Sequence, residues 1–98
     1  MKFAVLFSLK ENVTQAKILE SAARRREFKF PEGVKLLEEY WTPVQSPAVI
    51  ALFEATDPAA LMLNSIAWVD TFEVQVVPIV EYKEGLDKVA KLAAAAKK

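Results

Sequence analysis

The fold of this 98-residue chain is decided by residues 46–70, which read SPAVIALFEATDPAALMLNSIAWVD. Residues 48–55 are apolar at odd and even positions alike, and only Glu54 interrupts them. A strand with that pattern has no solvent face, so it is expected at the centre of a sheet that is covered on both sides. Asp57 can then cap a helix, and Pro58 suits the first helical position, where its missing N–H costs nothing.

The helix predicted after Pro58 carries no charged residue until Asp70. A helix on a protein surface normally shows a charged outer stripe. Because this helix has none, we expect much of it to be covered. Two alternatives are open: the C-terminal helix packs across it, or it forms a second interface in an assembly larger than a dimer.

A strand and a helix are predicted before this stretch. The apolar run at residues 2–9 predicts the strand. Asn12 followed by Gln15 resembles a capping box, which opens a helix that ends near Glu27. Spacings of three and four residues assign four side chains to the inner face of this helix: Ala16, Leu19, Ala22 and Ala23.

Three consecutive arginines, Arg24, Arg25 and Arg26, close this helix. The same pattern places Arg24 and Arg25 on its outer face, with Lys17 and Glu20. One interpretation of the arginines is an anion-binding site. The other, which the sequence favours, is that basic residues in a last helical turn complement the helix dipole.

Two further strands and a C-terminal helix complete the chain. Residues 34–42 mix charged and apolar side chains, as is typical of an edge strand. Residues 71–82 include Pro78, which cannot donate to a sheet ladder and so also belongs at an edge. Residues 83–98 show apolar side chains at helical spacing, and this helix is expected to fray at Lys97 and Lys98.

The predicted order is strand, helix, strand, strand, helix, strand, which is the ferredoxin-like plan of an α+β fold with a four-stranded antiparallel sheet. The chain is expected to be one domain over residues 1–98, with a core at 1–82 and an extra helix at 83–98. Right-handed crossovers place the first and third strands in the centre. Helices cover only one sheet face, so we expect a second copy to cover the other. Exposing five or six large apolar side chains there would forgo roughly 1.5–3 kcal/mol each.

Four short motifs point towards a known family. They are PEGVKLL at residues 31–37, Phe53-Glu54 followed by Asp57-Pro58, Trp68-x-Asp70, and Pro78 in the last strand. Together they resemble an uncharacterised family of short proteins in the dimeric α/β-barrel superfamily, over most of residues 1–82. The resemblance implies a ferredoxin-like subunit and two sheets paired into a barrel, and it implies no established activity.

The chain departs from that family at two places. It has Tyr40-Trp41 where members often show Trp followed by His at the end of the second strand. It has Val74-Gln75 where members show Phe-Glu before the closing proline. A role for that histidine or glutamate is therefore not carried over to this chain.

Composition excludes several classes of function. The 13 basic and 13 acidic residues cancel, which argues against nucleic acid or an anionic membrane as a main partner. The chain has no cysteine and no histidine, so thiol chemistry is excluded and the commonest zinc and haem ligand is missing. We therefore predict no metal and no cofactor. No apolar run approaches the ~20 residues of a membrane span, and a cytoplasmic location is expected.

Five residues are candidates for a site. Glu54 ends an apolar strand beside a helix N-terminus, so it could act as a general base, or it could simply emerge at the strand end. The aromatic residues Tyr40, Trp41, Phe53 and Trp68 could line a pocket for a small ligand, or they could be ordinary core residues.

Two functions follow from these candidates. The first is a homodimeric module, without catalysis, that binds a small apolar ligand or another protein. The second is a cofactor-independent enzyme of the monooxygenase or isomerase type, which acts on a small aromatic or apolar substrate with Glu54 as base. The absence of histidine removes the usual proton shuttle, so the sequence favours the first.

Overall fold

A computed structural model of the chain describes residues 1–96, and the predicted fraying of Lys97 and Lys98 lies outside the described residues. Four strands and three helices follow one another in the order β-α-β-β-α-β-α. They are β1 (Lys2–Leu9), α1 (Gln15–Glu27), β2 (Val34–Trp41), β3 (Val49–Ala55), α2 (Pro58–Ile66), β4 (Phe72–Ile79) and α3 (Tyr82–Ala96). None of the helices in this range is long and apolar enough to cross a membrane.

The strands form one antiparallel sheet in the order β2-β3-β1-β4. This arrangement confirms the predicted ferredoxin-like α+β fold, with β1 and β3 central and β2 and β4 at the edges. Pro78 lies in the edge strand β4, opposite Phe3 of β1, where the outer side of the strand needs no donor. The sheet is open, and its pairing into a barrel with a second copy stays a prediction.

The hydrophobic core lies between the sheet and α2. Alternate residues of the central strands point to this side, and their side chains are buried because each strand has a period of two. The buried core residues on the strands are Phe3, Val5, Phe7, Ala51, Phe53 and Ala55, and Leu61 and Trp68 pack onto them. We call this side of the sheet the helix face and the other side the open face.

The start of α2 matches the sequence prediction. The Asp57 side chain accepts a hydrogen bond from the N–H of Ala60 at 3.1 Å, and Pro58 occupies the first turn. The helix ends earlier than predicted, at Ile66 rather than near Val69. The N–H of Trp68 bonds to the carbonyl of Ser65 at 2.9 Å, three residues back, so the backbone tightens into a turn there.

The start and the inner face of α1 were predicted wrongly. The N-cap is Thr14, whose hydroxyl accepts the N–H of Lys17 at 3.1 Å, while Asn12 adopts the left-handed conformation (φ 65°) that asparagine tolerates in a turn. Of the four residues assigned to the inner face, only Ala22 is partly buried. Leu19 is 62% exposed. Instead, the side of α1 that carries Ser21 and Arg24 faces the sheet, because these residues form polar contacts there.

The C-terminal helix α3 does not cover α2. No residue of α3 is buried, and the outer face of α2 exposes Met62, Leu63 and Ile66. The first of the two alternatives for the uncharged helix is therefore wrong within a single chain. The segment before α3 is fixed to the sheet by an ion pair between Lys2 and Glu81.

We predict that replacing Leu61 by alanine strongly destabilises the fold. Leu61 is fully buried (0% exposed), so Leu61→Ala should lower the free energy of unfolding by about 2–5 kcal/mol, through lost burial and the cavity left behind. Leu63→Ala is the matched control in the same helix, because Leu63 is 58% exposed. It should change stability by about 0.5 kcal/mol or less. Urea denaturation gives both values, and equal losses would contradict this view of the core.

Candidate functional site

A cavity of about 610 Å³ lies between α1 and the helix face of the sheet. Buried side chains form its base, and exposed residues at the end of β2 and in the β2–β3 connection form its mouth. At the base are Phe7, Ala51, Phe53, Asn64 and Trp68; at the mouth are Trp41, Pro43, Val44 and Gln45. The α1 side of the wall includes Ser21 and Ala22, and such small side chains leave this space unfilled.

Polar contacts hold α1 above one end of the cavity. The hydroxyls of Ser21 and Thr71 form a buried hydrogen bond. The guanidinium of Arg24 binds the carboxylate of Asp70 through two nitrogens, at 2.9 and 3.2 Å, and lies 4.8 Å from the centre of the Trp68 ring. Such two-point contacts fix orientation as well as distance. The arginine was assigned to the outer face from the sequence, so that prediction was wrong.

A second cluster of hydrogen-bonded side chains closes the cavity wall beside β2. Arg25 binds Glu39 at 3.0 Å, and the indole N–H of Trp41 donates to the other oxygen of Glu39 at 2.7 Å. Arg25 also lies over the ring of Phe30, at 5.1 Å from its centre. Arg25 therefore also faces the sheet, against the sequence prediction. Each of these polar groups has a partner.

An irregularity in β2 places Glu39 and Trp41 on the cavity side. Leu36 pairs with Phe53, but the next register position pairs Glu38 with Leu52, so one residue is bulged out of the ladder. A β-bulge reverses which residues face each side of a sheet beyond it. As a result Trp41 faces the cavity and Tyr40 faces the opposite side.

Asn64 is a buried polar residue in the wall that lacks a hydrogen-bond partner. It lies on the buried face of α2, is only 1% exposed, and its Oδ1 has no hydrogen-bond partner. Within residues 1–96 the one other buried side-chain atom without a partner is Nε of Arg24, whose remaining nitrogens bind Asp70 and Ser21. Asn64 thus lies in the wall of the cavity, but its unpaired oxygen is buried within the protein and is not open to the cavity.

The five site candidates that were predicted from the sequence fall into two groups in the structure. Trp41, Phe53 and Trp68 line the cavity. Tyr40 and Glu54 lie on the open face, where Glu54 is exposed and stands in register with Lys2 and Lys35. The proposed role of Glu54 as a base stays a prediction, and it is separate from the cavity. Within the part of the chain that the structure describes, no cluster of acidic side chains could hold a metal ion.

Sequence reasoning missed most of the cavity wall, including three polar residues: Arg25, Glu39 and Asn64. Asn64 had a visible signal, since it is one of the few polar residues in an otherwise apolar helix. Arg25 was assigned to the wrong helix face. Glu39 had no signal, because its direction depends on the bulge in β2. None of the three belongs to a recognisable catalytic motif.

These features define a small ferredoxin-like domain with a cavity under its first helix. The chain belongs to the family described as domain of unknown function DUF3303, whose profile matches residues 1–93. This match confirms the resemblance to a family of short proteins to which no function is assigned. No curated protein and no solved structure gives a significant match.

We predict that Asp70 makes the fold sensitive to acid. The guanidinium of Arg24 holds the pKa of Asp70 well below its usual range, and so does the ammonium of Lys17, which lies 2.8 Å from the Asp70 carboxylate. The unfolded chain therefore binds a proton at this carboxyl before the folded chain does, and stability is lost as the pH falls below about 4. In Asp70→Asn, stability should fall less steeply between about pH 5 and about pH 3.

Urea denaturation at a series of pH values measures this slope. Asp87→Asn is the matched control, because Asp87 is exposed on α3 and forms no ion pair within residues 1–96. It should keep the slope of the unchanged protein. An unchanged slope in Asp70→Asn would contradict the role given to the Arg24–Asp70 pair.

Proposed function

We propose that this chain is a homodimeric small-ligand-binding protein and that its ligand occupies the cavity between α1 and the sheet. The observation that carries the proposal is the cavity itself, of about 610 Å³ and lined mainly by apolar side chains. Ligand sites in proteins typically measure about 300–1,000 Å³ and combine apolar walls with a few polar groups. Trp41, Phe53 and Trp68 supply the aromatic wall.

The binding function requires no catalytic group. Glu54 lies on the open face, so a ligand in the cavity does not reach it. In the wall, Arg25 is paired with Glu39, and no polar residue is placed as a nucleophile beside a base. We therefore prefer binding to catalysis, in line with the absence of histidine.

We predict that 2-naphthol, used as a probe, binds in the cavity. The chain's two tryptophans, Trp41 and Trp68, both line it. Labelling with 5-fluorotryptophan thus places both fluorine signals at the proposed site. Titration with 2-naphthol should shift both ¹⁹F resonances with one common dissociation constant. Binding that leaves both resonances unmoved would place the probe elsewhere and contradict the proposal.

A matched pair of variants on α1 tests the location. Ala22 lines the cavity, whereas its neighbour Ala23 is exposed. Ala22→Phe should fill the space and abolish the ¹⁹F shifts, while Ala23→Phe should leave them unchanged. Far-ultraviolet circular dichroism shows that each variant is folded. If Ala22→Phe does not fold, Ala22→Leu serves the same purpose with a smaller side chain.

The open face supports the homodimer. Its centre is apolar and its edges carry charged residues, which is the pattern of a protein interface. The apolar residues are Ala4, Leu6, Ile50, Leu52, Val77 and Ile79, and Lys2, Lys35, Glu38, Glu54 and Glu73 surround them. No helix among residues 1–96 packs on this face, and a second copy offers the same apolar surface for an isologous contact.

We predict that a charge on the open face disrupts the dimer. Leu6 lies at the centre of this face, opposite Ile50 and Gln75 in register. Leu6→Lys should convert a dimer into a monomer at micromolar concentration, because two lysines would be desolvated in the interface. Leu19→Lys is the control, since Leu19 is exposed on α1, on the helix side of the sheet. Size-exclusion chromatography with light scattering measures both, and a monomeric unchanged protein would overturn the dimer.

A further inference from the structure

We propose that the apolar side of α3 packs onto the exposed outer face of α2 in a second copy of this chain. The inference rests on the homodimer proposed above and does not involve the cavity. Each copy gives its α3 to the other, so the contact forms twice and is closed by a two-fold axis.

The helix α3 has one charged side and one apolar side. With 3.6 residues per turn, its charged residues all fall within an arc of ~140°, and its large apolar residues fall within an arc of ~120° on the opposite side. A helix with this pattern buries its apolar side against another surface. The charged residues are Lys83, Glu84, Asp87, Lys88 and Lys91, and the large apolar ones are Tyr82, Leu86, Val89 and Leu92.

The apolar side of α3 is not covered by the rest of residues 1–96. No residue of α3 is buried, and its large apolar side chains are 52–76% exposed. The chain measures 59 Å in its longest dimension and 29 Å in the next. A strand of eight residues spans only ~26 Å, so α3 extends away from the rest of the domain.

The outer face of α2 is a matching surface for α3. Met62 and Ile66 lie one turn apart on this helix, Val69 follows just after its end, and all three are 46–57% exposed. Since α2 contains no charged residue, its burial would remove no charge from water. On the apolar side of α3, Ala90 and Ala93 leave room for large side chains from a facing helix.

The area of these surfaces favours an exchange of α3 between copies over the pairing of two α3 helices. A stable interface takes about 800 Å² from each copy. At ~100 Å² for each exposed apolar side chain, α3 and the outer face of α2 together supply ~700 Å² per copy, whereas α3 alone supplies ~400 Å². Pairing of two α3 helices would also leave the outer face of α2 in water.

The attachment of α3 brings it beside a second copy. Glu81, the residue before α3, forms an ion pair with Lys2, which lies on the rim of the open face. The helix α3 thus leaves the domain next to the surface on which the homodimer is proposed to form.

The charges of α3 argue against an anionic membrane as its partner. A helix that lies on such a membrane is rich in lysine and arginine on its polar side. In α3, Glu84 and Asp87 stand among the lysines of the polar side. The uncharged outer face of α2 is therefore the better match.

Cross-linking between two single-cysteine variants tests the contact, since the chain has no cysteine of its own. Ile66→Cys is prepared in ¹⁵N-labelled chains and Val89→Cys in unlabelled chains. The two are mixed in urea, refolded together and treated with a short bismaleimide. Mass spectrometry should show a product of one labelled and one unlabelled chain. Its yield should be about fivefold or more above that with the control Lys91→Cys in place of Val89→Cys, because Lys91 lies on the charged side of α3.

Two results would overturn the inference. A mixed product no more abundant than in the Lys91→Cys control would show that α3 does not lie on α2 of another copy. A strong product from Val89→Cys alone would show that two α3 helices pair with each other. If light scattering shows a dimer in either case, the homodimer stands without the exchange of α3, and a monomer overturns both.

A second measurement needs no cysteine. Val89→Glu should raise the dissociation constant of the dimer about tenfold or more, because it places a charge in the apolar contact. Lys91→Glu is the matched control on the charged side of the same helix, and it should leave the constant nearly unchanged. Equal dissociation constants for the two variants would contradict the proposed contact. Sedimentation equilibrium measures both.

Discussion

The cavity in this structure depends on the polar attachment of α1 to the sheet side. A first helix of this fold would be expected to pack onto the sheet through large apolar side chains, and here Leu19 points away from it. Instead, Ser21 bonds to Thr71, and Arg24 binds Asp70 beside Trp68. Apart from Ile18, the residues of α1 that face the sheet are small or paired, and they leave a cavity beneath the helix. The hydrophobic core proper is formed without α1, by β1, β3 and α2.

The same cavity depends on the bulge in β2. Beyond Leu36 the register shifts by one residue, which turns Glu39 and Trp41 towards α1. Glu39 then neutralises Arg25 and accepts the indole N–H of Trp41, so the side of the cavity next to β2 is closed by satisfied polar groups.

The fold was predictable because its signals are redundant. The apolar run of residues 48–55 and the position of Pro78 agreed with the sheet order expected from right-handed crossovers, and Asp57-Pro58 marked the start of a helix. The face of α1 was not predictable, because ion pairs formed with residues distant in sequence overrode the spacing of its apolar side chains. Trp41, Phe53 and Trp68 were found as pocket candidates from their chemistry alone. Tyr40 fell on the other face because a bulge has no strong signature in a strand of mixed polarity.

The most direct test of the account locates a bound ligand by contacts with isoleucine methyl groups. Ile18 lines the cavity, Ile50 and Ile79 lie on the open face, and Ile66 is exposed on α2. With ¹³C-labelled isoleucine methyls and bound 2-naphthol, intermolecular nuclear Overhauser effects should appear at Ile18 and at none of the other three. Effects at Ile50 or Ile79 without any at Ile18 would place the ligand on the open face and contradict a binding site beneath α1.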